Sequence, residues 1–297
     1  MKDTLIFSLG SFGSKIILFF MVPLYTNYLT TEEYGTADLV FTVAQFLTPI
    51  MSVVIHDAII RYGLSKDFKR EDVLRVGYYI IGVDILVAIA LGPVVGLYKP
   101  LTQWKWYLSV YAVISIVDSI QFNYLKACGK NRLYAVLSVL KTACMASLNV
   151  LLLAIKHIGV RGYLLANILA LCLTDLLVFI FGKYASELKR SEHDSKLLKE
   201  MLWYSTPLIL NNISWWVIQS SDKVMIEYIL GPAMLGLYTV AAKIPALINV
   251  VISIFSQAWG ISSITEYEDS NDSTFTVQYK ECICSLYVLR VLSISQL

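Results

Sequence analysis

Four lysines stand inside apolar segments of this chain. Lys15, Lys141, Lys223 and Lys243 each lie in a stretch otherwise rich in Leu, Ile, Val, Phe and Trp. A charge near the bilayer centre costs roughly 2.5–3.5 kcal/mol on insertion scales, so such residues usually line a polar path or a binding site. Several cations together indicate an anionic cargo, and we predict that these lysines contact it. Snorkelling to the membrane interface is the alternative for Lys141 and Lys243, since both are expected near a helix end.

A polar stripe follows the second apolar segment of the chain. Its members recur at spacings of three and four residues, which places them on one helical face. We interpret this face as the lining of a water-filled cavity in which Gln45 also contacts the cargo. A helix–helix seam joined by Thr, Gln and Ser is the alternative. The stripe consists of Asp38, Thr42, Gln45, Pro49, Ser52 and His56.

Acidic residues inside the apolar segments are candidates for binding a coupling ion. We expect Lys223 to pair with Glu227 one helical turn later, which leaves Asp222 facing the interior. Asp222, together with Asp38 and His56, is the predicted site for a coupling proton or Na⁺. An ion pair that merely permits insertion is the alternative. Three further acids are either coupling sites or partners of a lysine on another helix, namely Asp84, Asp118 and Asp175.

The composition identifies the class of protein that must position these residues. Of 297 residues, 57% are hydrophobic and 15% are charged, and the mean hydropathy is +0.64. These values predict an all-α polytopic membrane protein and argue against a soluble domain or a nucleic-acid partner. The sequence contains no phosphate-binding glycine loop, zinc-ligand spacing or nucleophile elbow, so we expect no metal or cofactor beyond the coupling ion. The five cysteines are expected to be unpaired.

Eight apolar segments are long enough to cross a bilayer, which takes about 20 residues. Lys and Arg are concentrated in the connections on one side, which places the N-terminus in the cytoplasm. The predicted spans are 4–28, 35–62, 73–98, 105–126, 133–155, 162–182, 203–229 and 235–260.

A weak internal repeat divides the chain. The segment 29–35 (LTTEEYG) corresponds to 230–236 (LGPAMLG) at an offset of 201 residues, and each joins the first two spans of a bundle. We therefore predict a complete six-helix N-lobe followed by the first two helices of a second, repeated lobe. The predicted boundaries are 1–183 for the N-lobe, 184–202 for a cytoplasmic amphipathic linker, 203–265 for the partial C-lobe and 266–297 for a polar tail.

Short motifs across residues 4–265 resemble those of polysaccharide biosynthesis flippases. They are Ser8 to Lys15 (SLGSFGSK), Pro23 to Gly35 (PLYTNYLTTEEYG), Gly129 to Arg132 (GKNR) and Ser221 to Lys223 (SDK). This family comprises the lipid-linked oligosaccharide translocases (O-antigen, capsule or teichuronic type) of the multidrug/oligosaccharidyl-lipid/polysaccharide exporter superfamily.

The resemblance implies a MATE-like fold in which two six-helix lobes surround a central cationic cavity that alternates between the membrane faces. The cargo would be an undecaprenyl-pyrophosphate-linked glycan, flipped across the inner membrane for lipopolysaccharide or capsule assembly. Lys15 and Lys223 would meet the pyrophosphate or acidic sugars, while Asp222 or Asp38 would couple transport to a proton or Na⁺ gradient. The implied partners are the lipid bilayer, a polysaccharide polymerase and a chain-length regulator. No bond is made or broken, so the protein would not be an enzyme.

Three alternatives stay open at this point. A drug or cation antiporter of the same superfamily would have an acidic, apolar-walled cavity, which the lysines disfavour. A membrane glycosyltransferase or polymerase would need a sizeable extramembrane loop with clustered carboxylates or arginines. An inactive truncated flippase is the third, because the second lobe of the resemblance is represented by only two spans.

Overall fold

The structure, a computed structural model, describes residues 17, 20–65, 67–191 and 194–243. The regular secondary structure of these residues is helical, as the composition predicts. The chain divides into two compact units, residues 1–239 and 240–297, and the cavity and contacts of interest lie in the first. The described helices are α1 (Val22–Tyr28), α2 (Thr31–Met51), α3 (Ile55–Leu64), α4 (Arg70–Val95), α5 (Lys105–Ala127), α6 (Asn131–Asn149, continued by a π-helical turn at Val150–Ile155), α7 (Val160–Phe181), α8 (Tyr184–Arg190), α9 (Ser195–Leu230) and α10 (Pro232–Ala241).

Four of the described helices are long and apolar enough to cross a membrane, namely α4, α5, α6 with its π-helical turn, and α7. The number rises to five if α2 and α3 form one bent span. These helices coincide with the second to sixth predicted spans. The seventh predicted span lies in α9, which is 36 residues long and is not among the helices that are apolar enough. Much of the first and eighth predicted spans lies outside the described residues.

The helix predicted over 35–62 is broken in two. A capping box starts α2, in which the Thr30 hydroxyl accepts a hydrogen bond from the Glu33 amide at 3.1 Å and the Glu33 carboxylate accepts from the Thr30 amide at 3.0 Å. The helix ends at Met51, and α3 leaves at an angle of 53°. Val53 and Val54 lie between them with φ values of 51° and 55°, a left-handed conformation that is unfavourable for β-branched residues. The polar stripe therefore continues in a new direction after the break.

The central helix of the described unit is α5, which packs against α2, α3, α4 and α7. Its side chains Ile116, Ile120 and Leu125 are at most 1% exposed. Polar residues of α5, such as Asp118, face α6 and the polar stripe of α2. The fold thus brings polar residues of these helices close together.

Side chains also join the helix ends on the predicted cytoplasmic side. The ammonium group of Lys130 donates to the Gly182 carbonyl at 2.9 Å and to Glu187 at 3.1 Å. The hydroxyl of Tyr184 in α8 is buried and donates to the Gln121 carbonyl at 2.7 Å. Burial raises the pKa of Tyr184 well above its ordinary value, so the hydroxyl stays protonated and keeps this bond.

Candidate functional site

A cavity of about 520 Å³ lies between α2, α3, α5, α6, α7 and α9. Its walls carry amide and hydroxyl groups beside aromatic rings, with one lysine and one aspartate. Such a lining can donate and accept many hydrogen bonds while offering flat apolar surfaces. The lining residues are Gln45, Thr48, Pro49, His56, Tyr111, Ser115, Asp118, Ser119, Lys141, Leu171, Asn212, Trp215, Trp216, Gln219 and Ser220.

The charged residues of this lining form an ion pair. The Lys141 ammonium group donates to both Asp118 carboxylate oxygens at 2.9 Å. It also lies 4.2 Å from the centre of the Phe122 ring, which favours the cation further. The pair is partly buried, with side-chain exposures of 27% for Lys141 and 17% for Asp118. Lys141 thus lines the cavity, and its charge is compensated.

Asp175 on α7 belongs to the same electrostatic group. It interacts with both Asp118 and Lys141, and its carboxylate oxygens are buried. Asp84 on α4 is fully buried, and its carboxylate has no hydrogen-bond partner among the described residues. Within the described ranges, no group of three or more His, Cys, Asp or Glu side chains could hold a metal ion. In the described part of the interior, the charge of Lys141 is thus accompanied by the carboxyl groups of Asp118 and Asp175.

Two adjacent tryptophans on α9 form the aromatic part of the lining. The Trp216 indole donates to the Thr42 carbonyl at 2.9 Å, and its ring centre lies 4.7 Å from that of Phe46. These contacts fix Trp216 against α2. Trp215 also lines the cavity and keeps 56% of its surface exposed. Of the polar stripe, Gln45 on α2 and His56 on α3 line the cavity, and the Thr42 main chain contacts α9 through its hydrogen bond from Trp216.

A second polar cluster lies where α2, α9 and α10 meet. Lys223 donates to Asp38 at 3.0 Å and 3.3 Å, and the Thr239 hydroxyl donates to the same carboxylate at 3.1 Å. The Tyr238 hydroxyl donates to Asp222. The structure thus brings Asp38, Asp222 and Lys223 together, and none of the three is among the residues that line the cavity.

The predicted pair of Lys223 and Glu227 is replaced by contacts between helices. Lys223 turns to Asp38, and Glu227 accepts a hydrogen bond from Tyr98 in the connection between α4 and α5. Burial and this hydrogen bond raise the pKa of Tyr98 to about 12, so the phenol remains a donor. The Asp38 carboxylate replaces Glu227 as the partner of Lys223, because both Asp38 oxygens lie within hydrogen-bond distance of the ammonium group.

The remaining predicted site residues are dispersed. His56 lines the cavity, and its Nε2 atom lies 3.7 Å from Oδ1 of Asp57. Lys243 is exposed near the end of the described residues, and Lys15 lies outside them.

A second sequence signal for the cavity lies on α5. Tyr111, Ser115, Asp118 and Ser119 line it, and their spacings of three and four residues repeat the pattern of the stripe on α2. This second stripe includes a tyrosine and lies in a segment dominated by Ile and Val, so it is less conspicuous than that of α2. Its hydroxyl groups nevertheless form much of the polar wall.

Solved structures share this fold. The structure of the MATE multidrug transporter DinF-BH matches with a TM-score of 0.64 at 14% identity, covering 86% of this chain and 62% of that one. A MATE crystal structure in the straight conformation matches with a TM-score of 0.62 at 16% identity, covering 99% of this chain and 70% of that one. The all-α, MATE-like fold expected from the sequence is confirmed.

Curated proteins from Haemophilus influenzae are similar in sequence. Lsg locus putative protein 1 is 23% identical over 267 residues, which is 86% of this chain and 64% of that protein. An uncharacterized membrane protein is 22% identical over 265 residues, covering 86% of this chain and 63% of its own length. The chain thus spans less than two thirds of the length of these relatives.

A protein-family model, described as polysaccharide biosynthesis protein, matches residues 1–259 of this chain. This chain therefore belongs to the polysaccharide biosynthesis protein family and is a multi-pass membrane protein with a MATE-like transporter fold.

Proposed function

We propose that this protein is a flippase that moves an undecaprenyl-pyrophosphate-linked oligosaccharide repeat unit from the cytoplasmic to the outer leaflet of the inner membrane. The observation that carries this proposal is the cavity, whose walls combine hydrogen-bonding side chains with aromatic rings and one compensated charge pair. Family membership supports a cargo used in polysaccharide synthesis. Transport involves no bond making or breaking, so no catalytic residue is assigned.

The chemistry of a glycan suits such a wall. Sugar hydroxyls need partners that both donate and accept, and the side chains of Gln45, Asn212 and Gln219 provide amides for this purpose. The apolar C–H faces of sugar rings pack on aromatic surfaces, which Trp215 offers. The cavity volume of about 520 Å³ falls within the usual range for small-molecule sites, roughly 300–1,000 Å³.

The pyrophosphate requires a cation, and two lysines are candidates. Lys141 is in the cavity wall but is bonded to Asp118, so a phosphate would have to replace or share that carboxylate. Lys15 is the second candidate by its position in the sequence. Lys223 is bonded to Asp38 outside the lining, and we assign it a role in the contact between helices rather than in cargo binding.

Coupling and orientation complete the proposal. A proton or Na⁺ gradient would drive the cycle through Asp38, Asp222 or His56, and the N-terminus would lie in the cytoplasm by the distribution of Lys and Arg. The flipped repeat unit would be consumed by a polysaccharide polymerase acting with a chain-length regulator.

A binding measurement tests the cargo directly. The purified chain in lipid nanodiscs is mixed with undecaprenyl-pyrophosphate bearing an oligosaccharide or lacking it, and native mass spectrometry gives the bound fractions. We expect the glycan-bearing lipid to bind more tightly, and Gln45→Ala combined with Gln219→Ala to weaken its binding about tenfold, because each lost hydrogen bond is worth about 0.5–1.5 kcal/mol. Gln103→Ala is the matched control, since Gln103 is exposed in a connection and does not line the cavity. Equal binding of both lipids would contradict the proposal.

Transport is tested by complementation. The chain is expressed in a strain that lacks its repeat-unit flippase, and surface polysaccharide is measured with and without Lys15→Ala or Lys141→Ala. Restored polymer that is lost in either variant would support a flippase with a cationic phosphate contact. Efflux of a cationic dye without restored polymer would favour the drug antiporter, which the amide-rich wall and the family do not favour.

A further inference from the structure

The backbones of α2 and α10 touch at two glycines that are equivalent in the internal repeat. A β-carbon added at Gly35 would overlap the Pro232 carbonyl oxygen and lie 2.8 Å from the Gly236 amide nitrogen. One added at Gly236 would overlap the Thr31 carbonyl oxygen and lie 3.2 Å from the Gly35 amide nitrogen. The contact is reciprocal, and no side chain larger than hydrogen fits at either position.

Polar side chains also join α2 and α10, about one helical turn after the two glycines. Asp38 and Thr239 are also separated by 201 residues, the offset of the repeat, and they are hydrogen-bonded to one another at 3.1 Å. Lys223 adds its ion pair to Asp38, with side-chain exposures of 24% and 16%. The junction thus consists of a close glycine crossing followed by a charged bond, both at positions that the repeat relates.

This junction lies at one end of the cavity. On α2, Gly35 and Asp38 precede Gln45, the first lining residue of that helix, by 10 and 7 positions. At 1.5 Å per residue this is about 10–15 Å along the helix. On α9 the order is reversed, since the lining residues end at Ser220 and Lys223 follows. The two helices therefore place their junction residues beyond the same end of the cavity.

We propose that the Gly35–Gly236 crossing, fastened by Asp38, Lys223 and Thr239, is the closed gate at the extracytoplasmic end of the cavity. The connections from α1 to α2 and from α9 to α10 lie on the outer side in the orientation predicted from Lys and Arg. Cargo release to the outer leaflet requires α2 and α10 to separate, which breaks the glycine contact and the ion pair together. This inference rests on the proposed transport function, but its test does not require transport.

The test measures how readily a reagent reaches the cavity from outside. Ser115→Cys, a lining position, is introduced into a variant whose native cysteines are serines, and intact cells are treated with a membrane-impermeant maleimide. We expect Gly35→Ala and Gly236→Ala each to raise the labelling rate at least about tenfold, the change that about 1.4 kcal/mol produces in an equilibrium. Gly82→Ala is the matched control, because an added β-carbon there meets nothing within 4 Å. Its labelling rate should equal that of the parent.

Charge variants keep the test informative if the alanine variants fail to fold. Asp38→Asn should raise labelling from outside, and the exchange Asp38→Lys with Lys223→Asp should bring it back toward the parent rate. Folding is checked by size-exclusion chromatography in detergent. Unchanged outside labelling in the folded Gly35→Ala and Asp38→Asn proteins would overturn the gate. Increased labelling together with no glycan-lipid binding would leave the gate intact and refute the proposed cargo.

Discussion

Removing the charge of Lys141 should cost more stability than removing the charge of its partner Asp118. Lys141→Met leaves the Asp118 carboxylate without its cation and beside the buried Asp175 carboxyl group, whereas Asp118→Asn leaves Lys141 near Asp175 and over the Phe122 ring. A carboxylate that loses its cation in a confined space beside a second acidic group is poorly solvated, while the lysine keeps favourable neighbours. The asymmetry follows from the neighbours of the ion pair, chiefly Asp175, which is the second carboxyl group of this cluster.

The magnitude follows from the burial of the pair. Breaking a fully buried pair by removing one partner costs about 3–5 kcal/mol. Lys141 and Asp118 are 27% and 17% exposed, and solvent screening lowers that figure. We expect about 2 kcal/mol for Lys141→Met and about 1 kcal/mol for Asp118→Asn. The double variant should lose less than the sum of the two, with a coupling energy of about 1 kcal/mol.

The assay is reversible denaturant unfolding in mixed micelles, followed by tryptophan fluorescence. Lys99→Met serves as the control, because Lys99 is exposed outside the long helices and should change the unfolding free energy by less than about 0.5 kcal/mol. Equal losses in the two single variants, or losses that add within about 0.5 kcal/mol, would refute the reasoning.

Three other perturbations have clear expected outcomes. Val53→Gly should raise the unfolding free energy by about 1 kcal/mol, because a left-handed backbone conformation costs a residue with a β-carbon roughly 1–2 kcal/mol. A lower unfolding free energy in this variant would show that the backbone at Val53 is not strained. Tyr184→Phe should lower the unfolding free energy by about 1 kcal/mol by removing the buried hydrogen bond to the Gln121 carbonyl, whereas the exposed Tyr79→Phe should have little effect. Burial raises the pKa of the Cys128 thiol above 9.0, so with the other cysteines replaced its alkylation rate should keep rising beyond that pH; a plateau by pH 8.5 would refute this.

The sequence predicts the positions of the helices well, but it does not predict which helices contact one another. Apolar runs place α4 to α7 within a few residues of their observed bounds, because a membrane span has a minimum length. The break at Val53 and Val54 has no such signal, since two β-branched residues do not mark a helix end. There the Ser205 hydroxyl of α9 donates to the Val54 carbonyl at 3.4 Å, a contact that depends on tertiary structure.

The candidate site was predictable only in part, for a related reason. Spacing identifies the face of α2 on which Asp38 and Gln45 lie, but it identifies neither the break before His56 nor the helix opposite. Spacing within one helix therefore pairs Lys223 with Glu227, although Asp38 on α2 is its partner. The carboxylates that compensate Lys141 and Lys223 come from other helices, so the pattern within one helix does not reveal them.

The distance along the chain between these partners has a consequence for biogenesis. Asp118 and Lys141 are 23 residues apart and can pair as one helical hairpin enters the membrane. Asp38 and Lys223 are 185 residues apart, and Lys223 lies on α9, a helix that is not apolar enough to count as a span by itself. A lysine costs roughly 2.5–3.5 kcal/mol at a helix centre during insertion. Insertion of α9 from the translocon is thus a late step that depends on an already assembled α2, so a charge lost from the first helices would impair synthesis of the last ones.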